Sequence, residues 1–544
     1  MNDLPHSKSA RPSGSKPGIS ASTEPGASRS LSGRSQRFLG GLSLSYVYQA
    51  LAMLAALWMT PFVLHHLGQH SYGLWLVGLQ ILSYVMLMDF GIVALLPRET
   101  AYATGRAIRG TPGGDLPEVI GRSAWIVLYQ TPLVAAAVVV IWFNMPATWY
   151  EVRGPVMVVL VGFTVLFPLR IFQAVLQGLQ DLAFFTRMQM ISWAIGTLLT
   201  IVLVLRDFNL YALGIAWLAQ QTIGTAIAFY RLRSRFPGVL PSRLPSISAR
   251  ELLRSMTSGF WVSVSQLAQV LVGGSDFLLV GRMLGANAVV PYSCTQKLVA
   301  ALRNQPYMIM EVAAPGLSQM KTSESHERIF QVSSALTLGM LTLAGAVSCV
   351  TLAVNQSFVN WWIRGQFGGV RLSAALVVLA LLRHWNTTVV YSIFALGYER
   401  RISITTLIDG AVTLGLGFVL VEWMGPIGAP LGGILAVCLV SLPANLWALA
   451  REVEVPVVRI MTSLWPWFWR FALLASGAGI LGLVSQANLA YVAGVTCFTG
   501  ALYGAVMFPM LMNSPLYAYA PAPVREWWDR LGRRMPLPDP VSSD

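Results

Sequence analysis

Residues 155–178 read Pro-Val-Met-Val-Val-Leu-Val-Gly-Phe-Thr-Val-Leu-Phe-Pro-Leu-Arg-Ile-Phe-Gln-Ala-Val-Leu-Gln-Gly, an apolar run broken by one charge, Arg170. A helix of that length crosses the ~30 Å hydrocarbon core of a bilayer. Runs of the same kind recur near 38–60, 73–96, 120–143, 186–205, 210–230, 257–281, 288–312, 331–354, 371–394, 402–424, 427–449, 466–484 and 489–512. The sequence therefore predicts an all-α, polytopic membrane protein of about fourteen transmembrane helices. Composition agrees: of 544 residues 55% are hydrophobic and only 11% charged, with a mean hydropathy of +0.61. Soluble domains carry about 25% charged residues.

The net charge of +14 would suit nucleic acid, but a nucleic-acid partner needs basic residues gathered on a polar face. Here they lie between apolar runs and report orientation instead. With the N-terminus in the cytoplasm, 27 basic residues fall in cytoplasmic segments and five on the opposite side. That asymmetry obeys the positive-inside rule and predicts both termini in the cytoplasm. Residues 1–37 are rich in Ser, Gly and Pro and are expected to form a disordered cytoplasmic tail, with no apolar core of a signal peptide. The remaining boundaries follow: an N-terminal lobe at 38–230, a cytoplasmic linker at 231–256, a C-terminal lobe at 257–450, two further spans at 451–512, and a cytoplasmic tail at 513–544.

The lobes are expected to be pseudo-symmetric. Gly68 and Gly285 sit in similar surroundings 217 residues apart, Gly178 and Gly397 in another pair 219 apart, and Gly214 and Gly428 in a third 214 apart. Three echoes in one order at nearly one offset read as a six-helix unit duplicated in the same orientation. Parallel repeats of this sort characterise transporters that rock two lobes about a central site.

The stretch Pro61-Phe-Val-Leu-His-His-Leu-Gly-Gln-His-Ser-Tyr-Gly-Leu-Trp75, with Leu87-Met-Asp-Phe-Gly91 and Arg98, resembles the first two helices of polysaccharide exporters. These are the O-antigen type flippases of the multidrug/oligosaccharidyl-lipid/polysaccharide exporter superfamily. Asp276-Phe-Leu-Leu-Val-Gly-Arg-Met-Leu-Gly285 with Tyr292 resembles their seventh helix, and Trp362-Ile-Arg-Gly-Gln-Phe367 and Ala395-Leu-Gly-Tyr398 resemble later landmarks. The resemblance spans roughly 40–512. It implies a flippase of the bacterial inner membrane that moves an undecaprenyl-pyrophosphate-linked oligosaccharide by alternating access. Its partners would be that lipid-linked oligosaccharide, membrane lipids, and the polysaccharide polymerase and chain-length machinery.

An ionisable group inside the hydrocarbon is costly and usually faces a cavity or a partner. Arg170, Lys297, Arg303 and Arg383 fall within spans. Arg170 and Arg383 occupy equivalent spans of the two lobes, so a cationic cavity suited to pyrophosphate and acidic sugars is expected. The alternative is that these groups snorkel to the interface or cap carbonyls. Asp276 and Asp409 are candidates for coupling to a proton or sodium gradient; for Asp276 an internal ion pair with Lys297 or Arg303 is the competing reading. Asp89 is read as ending span two and holding Arg98 or a neighbouring helix end. His65 and His66 stand at the outer mouth of span one, as an outer gate or sugar contact. Gly178 and Gly397 end spans four and ten, where glycine permits a hinge.

No catalytic residues, metal ligands or cofactor are predicted. There is no P-loop, H-E-x-x-H or G-x-S-x-G, and the four cysteines are dispersed among apolar runs. Two other readings stand beside the flippase. A multidrug and toxin extrusion type antiporter favours cationic cargo, against which a cationic cleft argues. A membrane glycan polymerase or ligase would carry a large outer loop, and the longest here, near 355–370, is short.

Overall fold

Inside a bilayer only intrahelical pairing satisfies every backbone N–H and C=O of a single span, and the apolar runs fold accordingly. The structure, a computed structural model, describes residues 25–89, 91–109, 115–241, 266–303, 324–396, 398–514 and 522–530, with the single residues 264, 317 and 517. Among the described residues there is no strand, and ten helices are long and apolar enough to cross a membrane. The protein is an all-α, multi-pass membrane protein.

The first half contains α1 (Pro25–Leu67), α2 (Gln69–Val85), α3 (Ile92–Arg109), α4 (Leu116–Asn144), α5 (Tyr150–Leu166), α6 (Arg170–Gly178), α7 (Leu182–Leu205) and α8 (Tyr211–Arg235). The second contains α9 (266–274), α10 (Asp276–Met283), α11 (Ala286–Arg303), α12 (His326–Trp362), α13 (Val370–Ala395), α14 (Glu399–Met424), α15 (Gly428–Ala436) and α16 (Leu442–Glu452). Then come α17 (Val457–Ser463), α18 (Trp465–Leu483), α19 (Leu489–Met512) and α20 (Ala522–Arg530). The last two long helices, α18 and α19, pack on α12.

Several spans differ from their expected form. Helix α1 begins at Pro25, inside the polar tail. Span two breaks after Asp89, where Gly91 takes a φ of +70°. Span four breaks at the 3-10 turn Phe167–Leu169, whose Pro168 cannot donate to the preceding turn. Span seven breaks at Ser275, between α9 and α10. Spans seven and eight also extend beyond the described residues. Spans eleven and twelve form one 53-residue apolar stretch, Arg400–Glu452, that reverses at Gly425 (φ +68°). There α14 and α15 approach so closely that a Cβ on Gly432 would lie 2.6 Å from the Gly417 amide nitrogen.

The two halves meet along α2, α10 and α11. The contact depends on missing side chains, since a Cβ on Gly73 would lie 2.1 Å from the Ala286 carbonyl oxygen. Gly68 and Gly285, the first sequence echo, share one backbone conformation, with φ of +79° and +85°.

Prolines prepare the rest of this seal. A proline inside a helix has no N–H for the carbonyl four residues earlier. Pro61 in α1 therefore frees the Leu57 carbonyl, and Pro291 in α11 frees that of Asn287. Trp362 Nε1 donates to the Leu57 oxygen at 2.6 Å, and Gln69 Nε2 to the Asn287 oxygen at 2.7 Å. Gln366 Nε2 joins them by donating to Gln69 Oε1 at 2.9 Å. Each freed carbonyl is thus satisfied from the other half of the molecule.

Two outcomes check this packing. Gly73→Ala should destabilise the detergent-solubilised protein by on the order of 1–3 kcal/mol. The same change at Gly105, which has open space around it, should be neutral or slightly stabilising; thermal unfolding measures both. Trp362→Phe keeps the ring but removes the donor. In a background with the exposed Cys438 and Cys497 replaced by Ser, it should speed maleimide labelling of an Asn287→Cys variant about fivefold, the worth of one hydrogen bond.

Candidate functional site

The breaks in spans two and four face one another and carry opposite charges. Asp89 closes a 3-10 turn, and its Oδ1 accepts the Gly91 N–H at 2.9 Å, which fixes the carboxylate against the break. Arg170 opens α6 directly after the Pro168 turn. Its Nη1 lies 3.5 Å from Asp89 Oδ2, with side-chain exposures of 28% and 4% respectively. The guanidinium also sits over the ring of Phe163, 5.4 Å from its centroid. At this distance the ion pair is loose, and Arg170 Nη1 has no hydrogen-bond partner.

A cavity of about 800 Å³ opens beside this pair, bounded by α2, α3, α5, α6, α8 and α9 and so lined from both halves. Arg170 and Asp89 are the charged residues among its described lining. Six glutamines line it as well: Gln80, Gln173, Gln177, Gln221, Gln266 and Gln269, with the ring of Trp217. Gln173 Nε2 donates to Thr225 Oγ1 at 3.3 Å.

The second half treats its arginine differently. Arg383 grips Asp409 with both terminal nitrogens, at 2.6 and 2.9 Å. The Thr413 hydroxyl donates to Asp409 Oδ1 at 3.1 Å, and the Ser441 hydroxyl donates to Oδ2. Ser441 ends a π-helical turn, Val437–Ser441, which sets its hydroxyl against α14. Side-chain exposures of 12% for Arg383 and 1% for Asp409 make this a closed, neutral pair.

Of the four cations expected to share a cavity, Arg170 lines it, while Arg383 is committed to Asp409. Lys297 is half-buried on α11, away from the lining, with no ion-pair partner among the described residues. Arg303 is the last residue of α11, and its side chain lies outside the described set. Asp276 begins α10 and accepts the Tyr292 hydroxyl at 2.7 Å; next to it, the Ser275 and Tyr84 hydroxyls are 3.0 Å apart. His65 and His66 are exposed at the end of α1, their ring centroids 5.2 Å apart. Gly178 packs on α3, where a Cβ would lie 2.6 Å from the Pro97 carbonyl oxygen. The positive-φ turn after α6 falls on Gln180. Gly397 lies outside the described residues.

Asp89, expected to end span two and hold Arg98 or a neighbouring helix end, faces Arg170 at the start of α6, while Arg98 pairs with Glu99 at 3.6 Å. Sequence reasoning passed over the glutamines, although Gln173 and Gln177 stand four apart, and Gln266 and Gln269 three apart, within apolar runs. That spacing puts each pair on one helical face, and it was the available signal.

A helical membrane bundle in two halves, sealed at one end and holding a polar cavity, has the form of a transporter or flippase. Residues 115–365 match the family described as "Polysaccharide biosynthesis protein". The chain is 23% identical over 407 residues to EpsK of Bacillus subtilis (strain 168), an uncharacterized membrane protein, across 72% of this chain and 78% of EpsK. Among solved structures, the lipid II flippase MurJ in its inward closed conformation shares 12% identity at a TM-score of 0.58, covering 87% of this chain and 99% of MurJ. An inward-facing multidrug resistance MATE family transporter of the MOP superfamily shares 17% at 0.50, covering 71% and 93%. The polysaccharide-exporter resemblance read from the sequence is borne out.

The buried pair in the second half gives a stability test. Arg383→Met leaves a buried carboxylate without its counter-charge and should cost on the order of 3–5 kcal/mol. Arg383→Met with Asp409→Leu removes both charges and should unfold closer to wild type in a thermal melt.

Proposed function

We propose that the protein is a flippase that carries an undecaprenyl-pyrophosphate-linked oligosaccharide repeat unit across the bacterial inner membrane for surface polysaccharide synthesis. The observation that carries this reading is the cavity of about 800 Å³, lined from both halves and bordered by the part-exposed side chain of Arg170. A guanidinium pairs strongly with phosphate, and the loose contact with Asp89 leaves the cavity-facing part of Arg170 for a ligand. The polysaccharide family match and the fold shared with a lipid II flippase support a lipid-linked cargo.

In the orientation that the basic residues favour, the end sealed by Trp362, Gln69 and Gln366 faces the periplasm. The cavity then lies on the cytoplasmic side of the seal, and the conformation is the inward-open one. The headgroup enters the cavity while the lipid tail stays in the bilayer. Release of the seal and closure of the opposite end deliver it outward, where the polymerase and chain-length machinery take it up. Asp276, half-buried beside Tyr292 at a helix break, is the better candidate for coupling to a proton or sodium gradient, because Asp409 is held by Arg383. A second reading, the multidrug antiporter, gains from the balanced charge of the described cavity lining, since no excess of cations repels cationic cargo.

In cells lacking the endogenous exporter, the wild-type chain should restore surface glycan. Arg170→Ala should lower export at least about tenfold at unchanged protein abundance, the loss expected for a charged hydrogen-bonding partner. Drug resistance conferred without any glycan export would select the antiporter instead.

A further inference from the structure

We infer that the headgroup carried by this protein is an uncharged glycan, bound by carboxamides; the inference rests on the flippase reading above and names its substrate class. The physical problem is why a cavity in a membrane protein should carry so many amides. A polar group without a hydrogen-bond partner is costly to desolvate, so a headgroup that displaces water from this cavity must pair with the amides that line it. Gln80, Gln177, Gln221, Gln266 and Gln269 line the cavity, and their carboxamides make no hydrogen bond to another described residue.

Each carboxamide offers two donors and an acceptor oxygen. Sugar hydroxyl and acetamido groups both donate and accept, so carboxamides match them whichever way they point. Gln177 lies one turn beyond Gln173 on α6, and Gln269 one turn beyond Gln266 on α9, so polar pairs stand on the walls supplied by opposite halves. Gln80 reaches the α9 backbone where side chains are absent: a Cβ on Gly274 would lie 2.7 Å from its Nε2. Trp217 adds an aromatic face against which the C–H side of a sugar ring packs.

The charges point the same way. Arg170 and Asp89, 3.5 Å apart, cancel within the described lining. A lipid pyrophosphate can use the part of Arg170 that borders the cavity. A uronic acid deeper in the cavity would meet amides and the Asp89 carboxylate, and its own charge would be desolvated without a counter-ion.

The test is made in cells lacking the endogenous exporter and supplied with either a neutral or a uronic-acid-bearing lipid-linked repeat unit. Wild-type protein should export the neutral unit at least about tenfold faster, and Gln266→Ala with Gln269→Ala should lower neutral export about tenfold at equal abundance. Gln177→Lys, which adds a cation on a side chain one atom longer, should raise the ratio of acidic to neutral export. That ratio does not depend on how much protein folds. Equal export of both units by wild type, or a ratio unmoved by Gln177→Lys, overturns the inference and leaves the flippase reading standing. Export of neither unit by wild type overturns the flippase reading, and this inference with it.

Discussion

Pro61 and Pro291 each remove the N–H that would close a helical turn, and the carbonyls they release are where the two halves are tied. The rest of the architecture follows from that constraint. Bonds from Trp362 to Leu57 and from Gln69 to Asn287 require α1, α2, α11 and the end of α12 to converge at one end of the bundle. Gly73 makes the convergence possible by letting the Ala286 carbonyl approach. Such bonds join groups that already lack a partner within their own helix, so opening them exposes a carbonyl rather than breaking a helical turn. The seal is specific in geometry and modest in strength, as the proposed alternation of the lobes would require.

Below the seal, the halves use the same residue types to opposite ends. Both place an arginine in a span that the sequence marks as equivalent. In the first half the arginine follows a proline turn, stands 3.5 Å from its carboxylate and borders a cavity. In the second it lies within the unbroken helix α13 and is gripped at 2.6 and 2.9 Å, with Thr413 and Ser441 completing the carboxylate. The arginine after the broken helix borders the cavity, and the one within the intact helix is buried against its carboxylate.

The fold was legible in the sequence because hydropathy reports length and burial together. The apolar runs gave the helices, and Gly68 and Gly285 marked turns that share one positive φ. Helix breaks were harder, since Asp89, Pro168 and Ser275 interrupt runs without lowering their hydropathy enough to divide them. The site was read in part. Arg170 stood out as a charge where charge is costly, but its partner Asp89 lies on a helix that only the tertiary fold brings near. Arg383 and Asp409, 26 residues apart, were each read alone, and pairing changes the meaning of both. The glutamines were missed because a carboxamide carries no charge and so does not stand out where ionisable groups are sought, yet they contribute much of the polar wall of the cavity.

The pairing of charges also has an electrical side. Moving one unpaired charge across the membrane potential involves about 2.3 kcal/mol per 100 mV. Asp89 with Arg170, and Arg383 with Asp409, each sum to zero and travel together. If the lobes rock as proposed, these four residues carry no net charge across the field. In the proposed cycle, voltage then acts through whatever charge the cargo or a coupling ion brings with it.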